Sequence, residues 1–454
     1  MNVTLATALP PTSGSATDRA SGPARAAAWL RARAGTTPGL LRILSVALGV
    51  SIALLWAAAL AAVLVRDDAV HAVSADAAPA FAAAQRLHAD LSEADATIVS
   101  AFLAGPVEPP EQRKAYDDSI AAAEGELRTL ARAGDGSPAA RGALDTLHQK
   151  IPAYTELVGQ ARANNRQEYV VGGAYLRQAS LLMQGTILPA ADSLAVSSAE
   201  QVDDGYRRAT SSVHVALVSA AGVISLVALA GVQLWLFRRT HRLLNVPLLV
   251  ATGLVMVVFA VTLSAFSAER ARLLDGRDDG FVPMSEIAQA RVLGLRAWGD
   301  EGLSLIARGD GAALDADADA AIARLGYTPD GRPTGSGILP TITAYLHGEG
   351  FREGDLDALW RDYQSTSIEV RRQVTSAGGF DKALELAQGD GAEAFGRFDQ
   401  AADQALTASQ QRFGERLSAA GDRLGGLAAV VIVLSALAIA LALAGIQARI
   451  NEYR

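Results

Sequence analysis

Four apolar runs set the plan of the chain. Ile43–Val65, Val215–Phe237, Val246–Phe266 and Leu424–Ile446 each exceed 20 residues and contain no Asp, Glu, Lys or Arg. About 20 apolar residues cross the hydrocarbon core of a bilayer, so each run predicts a transmembrane helix. The first run begins after about 40 residues and is roughly twice the length of a signal-peptide h-region, which predicts a retained anchor.

The two long segments between the runs read as helical. In 66–214, polar punctuation at 104–112 (AGPVEPPEQ), 133–138 (AGDGSP) and 163–167 (ANNRQ) separates four amphipathic stretches. Ser137 before Pro138 suits an N-cap followed by the first helical position. Around IAAAEGELRTLARA the apolar residues return at three and four spacing, as one helix face requires. In 267–423, the word GYTPDGRPTGSGILP at 326–340 reads as a loop between amphipathic helices, and a last helix from about Phe380 leads into the fourth run.

The expectation is an all-α integral membrane protein with four transmembrane helices and two extracytoplasmic helical-bundle domains. Its parts are an arm, 1–42, read as disordered; spans at 43–65, 215–237, 246–266 and 424–446; bundles at 66–214 and 267–423; a loop, 238–245; and a tail, 447–454. Span–bundle–span thus occurs twice. An ungapped offset of 204 places Pro79 on Pro283, Gln85 on Gln289, Leu91 on Leu295 and Gly105 on Gly309, which suggests a repeat.

Charge fixes the expected orientation. The arm carries Arg19, Arg25, Arg31, Arg33 and Arg42 against Asp18; the loop carries Arg238, Arg239 and Arg242 and no acid; the tail carries Arg449 and Arg454 against Glu452. The long segments are acidic, with 13 basic against 20 acidic residues in the first and 17 against 26 in the second. By the positive-inside rule both termini and the short loop lie in the cytoplasm and both bundles lie outside, in a plasma membrane.

Little points to catalysis. With no Cys, thiol chemistry and Cys-based metal sites are excluded, and the six His are scattered. The word DADADA at 315–320 resembles the start of a calcium loop, but Ala320 stands where the turn needs Gly and Gly326 where the bidentate acid belongs. GDGAEAFG at 389–396 has Ala394 in place of the third Gly of a dinucleotide loop. The spans lack the ionised groups of a transport path. The chain therefore reads as a non-enzyme with no cofactor, no metal and no nucleic-acid partner.

Signal reception fits better. Two candidate contact surfaces stand out. Outside, Tyr169, Tyr175, Arg177 and Met183 lie on RQEYVVGGAYLRQASLLMQGTILPAAD, with residue types enriched in interfaces. Inside, Arg238, Arg239, Arg242 and Asn245 of the loop and Arg449, Asn451, Glu452, Tyr453 and Arg454 of the tail are candidate contacts for a partner. The cytoplasmic pieces are too short to form an output domain of their own.

The words RRTHRLLNVPLLVATG, RINEYR and GGAYLRQASLLM, in this layout, resemble the GlnX-type membrane proteins of actinobacteria. The resemblance implies work with a solute-binding lipoprotein, GlnH, outside and a soluble Ser/Thr kinase, protein kinase G, inside, relaying aspartate or glutamate availability. The alternatives are a direct small-molecule receptor with four-helix-bundle sensor domains and, further off, a permease subunit or structural envelope protein. A homo-oligomer stays open.

Overall fold

The structure is a computed structural model that describes residues 37–133, 137–167, 171–240, 246–307, 311–348 and 355–451. At 37–41, 239–240, 269, 272, 275–276, 278–279, 416–428 and 448–451 only the backbone is described. Every regular element among the described residues is helical. Four of the helices are long and apolar enough to cross a membrane. The protein is an all-α membrane protein, as the apolar runs predict.

The chain divides into two compact units, one formed by 1–60, 214–263 and 429–454, the other by 61–213 and 264–428. The first holds most of the apolar runs. Here Ser225 donates its hydroxyl to the Ser51 carbonyl at 2.9 Å, and Gln233 donates Nε2 to Thr252 Oγ1 at 2.7 Å. A Cβ at Gly222 would come within 2.4 Å of the Phe259 ring, so the glycine permits close helix approach. Large apolar side chains such as Val46, Leu54, Ile224, Val227 and Val433 point outward, as lipid contact requires.

The second unit begins inside helix α1 (Thr37–Ala72), which continues through a π turn (Val73–Ala77) into α2 (Ala78–Leu103) without a break. There follow α3 (Pro110–Ala133), α4 (Pro138–Asn165), α5 (Val171–Leu182), a second π turn (Met183–Ile187) and α6 (Leu188–Ala209). α7 (Ser212–Thr240) and α8 (Val246–Gly276) carry the middle two apolar runs. The second half continues with a π turn (Arg277–Phe281), α9 (Val282–Ala307), α10 (Ala312–Leu325), α11 (Ile338–Gly348), α12 (Leu356–Thr375), α13 (Phe380–Leu386), a π turn (Ala387–Gly391) and α14 (Ala392–Asn451).

Local chemistry accounts for several boundaries. Ser137 caps α4 as expected, its Oγ accepting from the Ala140 N–H at 3.0 Å. Asp355 caps α12 by accepting from the N–H groups of Asp357 and Ala358. α10 ends on Gly326 at φ 112°, the left-handed conformation that favours glycine. The glycine-rich word at 389–396, dismissed as a nucleotide loop, lies in the last π turn and the start of α14.

The repeat is plain in the backbone. The π turns at Val73–Ala77 and Met183–Ile187 return 204 residues later at Arg277–Phe281 and Ala387–Gly391. α2 and α9, Ala78–Leu103 and Val282–Ala307, are related by the same offset. Four matched residues in Ala-rich sequence were thin support; two matched irregularities in helix geometry are much stronger.

The second unit has two main cores. One centres on Leu87, Leu91, Ile98, Leu147, Tyr154, Leu176, Met183 and Ile187, almost all from the first long segment. The other centres on Ile287, Leu293, Leu325, Tyr327, Trp360, Tyr363, Phe395 and Phe398 from the second, and takes in Val70, Val73, Phe81, Val202 and Tyr206 from the first. The two segments therefore pack as one compact unit in which each keeps a core of its own. α2 and α9 form the seam.

Candidate functional site

The polar residues of α2 are not all on a solvated face. Gln85, His88, Ser92 and Asp95 follow at spacings of three, four and three, which puts them on one side of the helix. That side, with α6 and α9, encloses a cavity of about 310 Å³. Its lining also includes Gln184 from the second π turn, Leu188, Asp192 and Ala195 from α6, and Gln289, Leu293 and Arg296 from α9. The volume suits a small organic molecule.

Asp95 is 5% exposed, and its Oδ1 accepts from the Ser180 hydroxyl at 2.9 Å and the Tyr154 hydroxyl at 3.2 Å. Burial pushes its carboxyl up to about 7, against the lowering effect of those two donors. His88 is also 5% exposed. Its Nε2 lies 3.2 Å from Asp192 Oδ1, and its Nδ1 has no hydrogen-bond partner. Burial lowers the His88 pKa, with Asp192 opposing and Arg296 assisting, so the ring is neutral.

A second carboxylate sits behind the wall. Asp300 on α9 is fully buried and accepts from Gln184 Nε2 at 2.6 Å, while Arg296 approaches its other oxygen only to 3.6 Å. Burial raises its carboxyl to about 6, with the Gln184 hydrogen bond pulling the other way. Gln184 therefore both lines the cavity and joins the halves. π turns put an extra residue into a helix and are frequent at functional sites, and this one carries the linking side chain.

Residues 69–207 match a family model described as an actinobacterial sensor domain. The match takes in the α2, π-turn and α6 walls of the cavity, with His88, Asp95, Gln184 and Asp192, and stops short of the α9 wall. It supports a sensor-type actinobacterial protein, and a role in sensing or signalling. No curated protein and no solved structure gives a significant match.

The expected contact residues fall differently. Tyr175 is half-buried against the first core, Arg177 is exposed, and Met183 is fully buried. Met183 therefore belongs to packing and offers nothing to a docking partner. Its position in the π turn turns its side chain inward with Ile187. Tyr169 lies outside the described residues. Of the cytoplasmic candidates, Arg238 is exposed near the end of α7. Only the backbone of Arg239, Arg449 and Asn451 is described, in helix; Arg242, Asn245, Glu452, Tyr453 and Arg454 lie outside the described residues. Among the described residues no group of three His, Asp or Glu could hold a metal ion.

Proposed function

We propose that the chain is a membrane signal relay and not an enzyme. Its outer unit takes the state of an exported amino-acid-binding lipoprotein, loaded with aspartate or glutamate, and its cytoplasmic loop and tail pass that state to a soluble Ser/Thr kinase. Both termini lie in the cytoplasm on this reading, because the arm, loop and tail carry the excess of arginine.

The observation that carries the sensing part is the match of residues 69–207 to a sensor domain, on a stretch that begins within the helix bearing the first apolar run. The matched stretch and the first apolar run share one run of helix from Thr37 to Leu103. The lipoprotein and the kinase rest on the resemblance of the short words quoted above.

The test is affinity purification from membranes of the unchanged chain and of a variant with Arg238, Arg239 and Arg242 replaced by Ala. A binding lipoprotein and a kinase should accompany the unchanged chain, and the kinase should be lost from the variant. Recovery of neither from the unchanged chain sinks the relay. A second reading, direct reception of a small molecule, is favoured by one observation: the cavity lined by His88, Asp95 and Gln184.

A further inference from the structure

The cavity between α2, α6 and α9 is specific about what it lacks. At Asp95 both hydrogen bonds from the protein arrive at Oδ1, which leaves Oδ2 without a protein donor. At His88, Nε2 stands 3.2 Å from Asp192 Oδ1, and Nδ1 has no hydrogen-bond partner. Both residues line the cavity and both are 5% exposed. Asp95 Oδ2 is therefore an acceptor with no donor from the protein. A buried acceptor without a donor is costly, and a carboxylate more so than a neutral group.

The carboxylates in or just behind the lining are Asp95, Asp192 and Asp300, and the guanidiniums in the lining are Arg296 and Arg324. Both arginines are exposed, and Arg296 already faces Asp300 at 3.6 Å and Asp317 at 3.8 Å. The Asp192 side chain is exposed too, at 72%, so the acidic group at the depth of the cavity is Asp95, with Asp300 behind it. Leu188, Ala195 and Leu293 supply an apolar wall beside it.

We propose that this cavity is a binding site for a small aliphatic amine, whose ammonium group donates to Asp95 Oδ2 and whose chain lies along the apolar wall. Above about pH 7, where the Asp95 carboxyl is ionised, an ammonium brings three donors and a positive charge to an acceptor that carries negative charge. A carboxylate ligand would meet Asp95 with like charge, and an alcohol would leave its charge uncompensated. Occupancy of this place would bear on the Gln184–Asp300 link, and so on the seam between the halves. The inference rests on the direct-reception reading of the outer unit.

The experiment uses the purified full chain in lipid nanodiscs, with 1-aminobutane and 1,4-diaminobutane as probes and 1-butanol and butyrate as neutral and anionic counterparts. Binding is followed by calorimetry and by the shift in thermal midpoint. At least one amine should bind and raise the midpoint, and the alcohol and the carboxylate should bind at least tenfold more weakly. Asp95→Asn, which keeps an Oδ1 for Ser180 and Tyr154, should weaken the amine at least tenfold. Ala195→Leu, which puts three more carbons into the cavity without touching its charge, should weaken binding at least tenfold while circular dichroism stays unchanged. Absence of binding by both amines, equal or tighter binding of butyrate, or an unchanged amine affinity in Asp95→Asn overturns the proposal. Tight butyrate binding would overturn only the charge class and leave direct reception standing; co-purification of the partners is a separate measurement that can fail on its own.

Discussion

Two halves of one repeat have come to opposite ends. In the first half, α6 places Ala191 and Leu194 in the first core and turns Ala195 and Ala199 to the cavity. The same repeat positions on α14, 204 residues later, are Phe395, Phe398, Asp399 and Asp403, and the space is filled. Phe398 packs edge-on to Trp360 with ring centres 5.2 Å apart, and Phe395 stacks on Trp298 at 4.6 Å. Gly294, at the repeat position of Asp90, makes room, because a Cβ there would stand 2.5 Å from the Phe398 ring. Arg291, at the position of Leu87, closes the rest. It makes a two-point contact with Asp399 at 2.7 and 3.1 Å and reaches Asp403 at 3.0 Å and Glu93 at 3.1 Å. The lesson is that a duplicated scaffold can hold one opening for a guest while the other copy becomes support.

Each half also buries one carboxylate held by a tyrosine and a serine. Asp95 takes Tyr154 and Ser180; Glu301 takes the Tyr363 hydroxyl at 2.6 Å and the Ser367 hydroxyl at 2.9 Å. Burial raises both above the ordinary carboxylate range. Asp95 opens on the large cavity, whereas the space beside Glu301 is only about 20 Å³, too small for more than water.

The sharpest way to break this contrast is to carve the filled half. Phe398→Ala should cost about 3–5 kcal/mol, the usual range for a buried aromatic, read as a fall in the chemical-denaturation midpoint. Arg291→Met comes next. It leaves Glu93, Asp399 and Asp403 without their shared cation, for a loss of about 3 kcal/mol, reduced from the fully buried case because Asp403 is half exposed. Arg86→Met, whose guanidinium is 40% exposed beside Glu126, should cost under about 1 kcal/mol, so the two arginines separate clamp from surface pair.

Acidity gives a subtler test. Burial raises Asp90 and Asp95 to about 7 and Asp300 to about 6. The folded chain therefore keeps protons on these carboxyls that the unfolded chain releases near pH 4. Their contribution to stability is present at low pH and is lost as pH rises through the folded values, between about 4 and 7. His88 opposes this, since its lowered pKa makes the folded form slower to take up a proton on acidification. The clean readout is the difference between wild type and Asp95→Asn: the thermal midpoint of the wild type should gain more on going from pH 7.5 to 5.5. Smallest of all, Ala195→Leu should change stability by less than about 1 kcal/mol, because the cavity accepts the added carbons without moving its walls.

The spans, the helical class and the cap at Ser137 were all legible from the order of apolar and polar residues, since length and periodicity alone decide them. The cavity was not. Gln85, His88, Ser92 and Asp95 make a polar stripe that, in one sequence, is indistinguishable from a solvated helix face. Only the packing of α6 and α9 against it turns that stripe inward. Met183 misled for the converse reason, as a residue type common in interfaces that a π turn has placed in a core. The repeat was visible as a span–bundle–span order occurring twice and as four identities at an offset of 204.

The matched π turns also date events within the protein's history. Each such turn is a one-residue insertion in a helix, and an insertion made after duplication would mark one half alone. Both turns of the first half recur at the same interval in the second. One duplication of a span–bundle–span unit that already carried both insertions accounts for that interval.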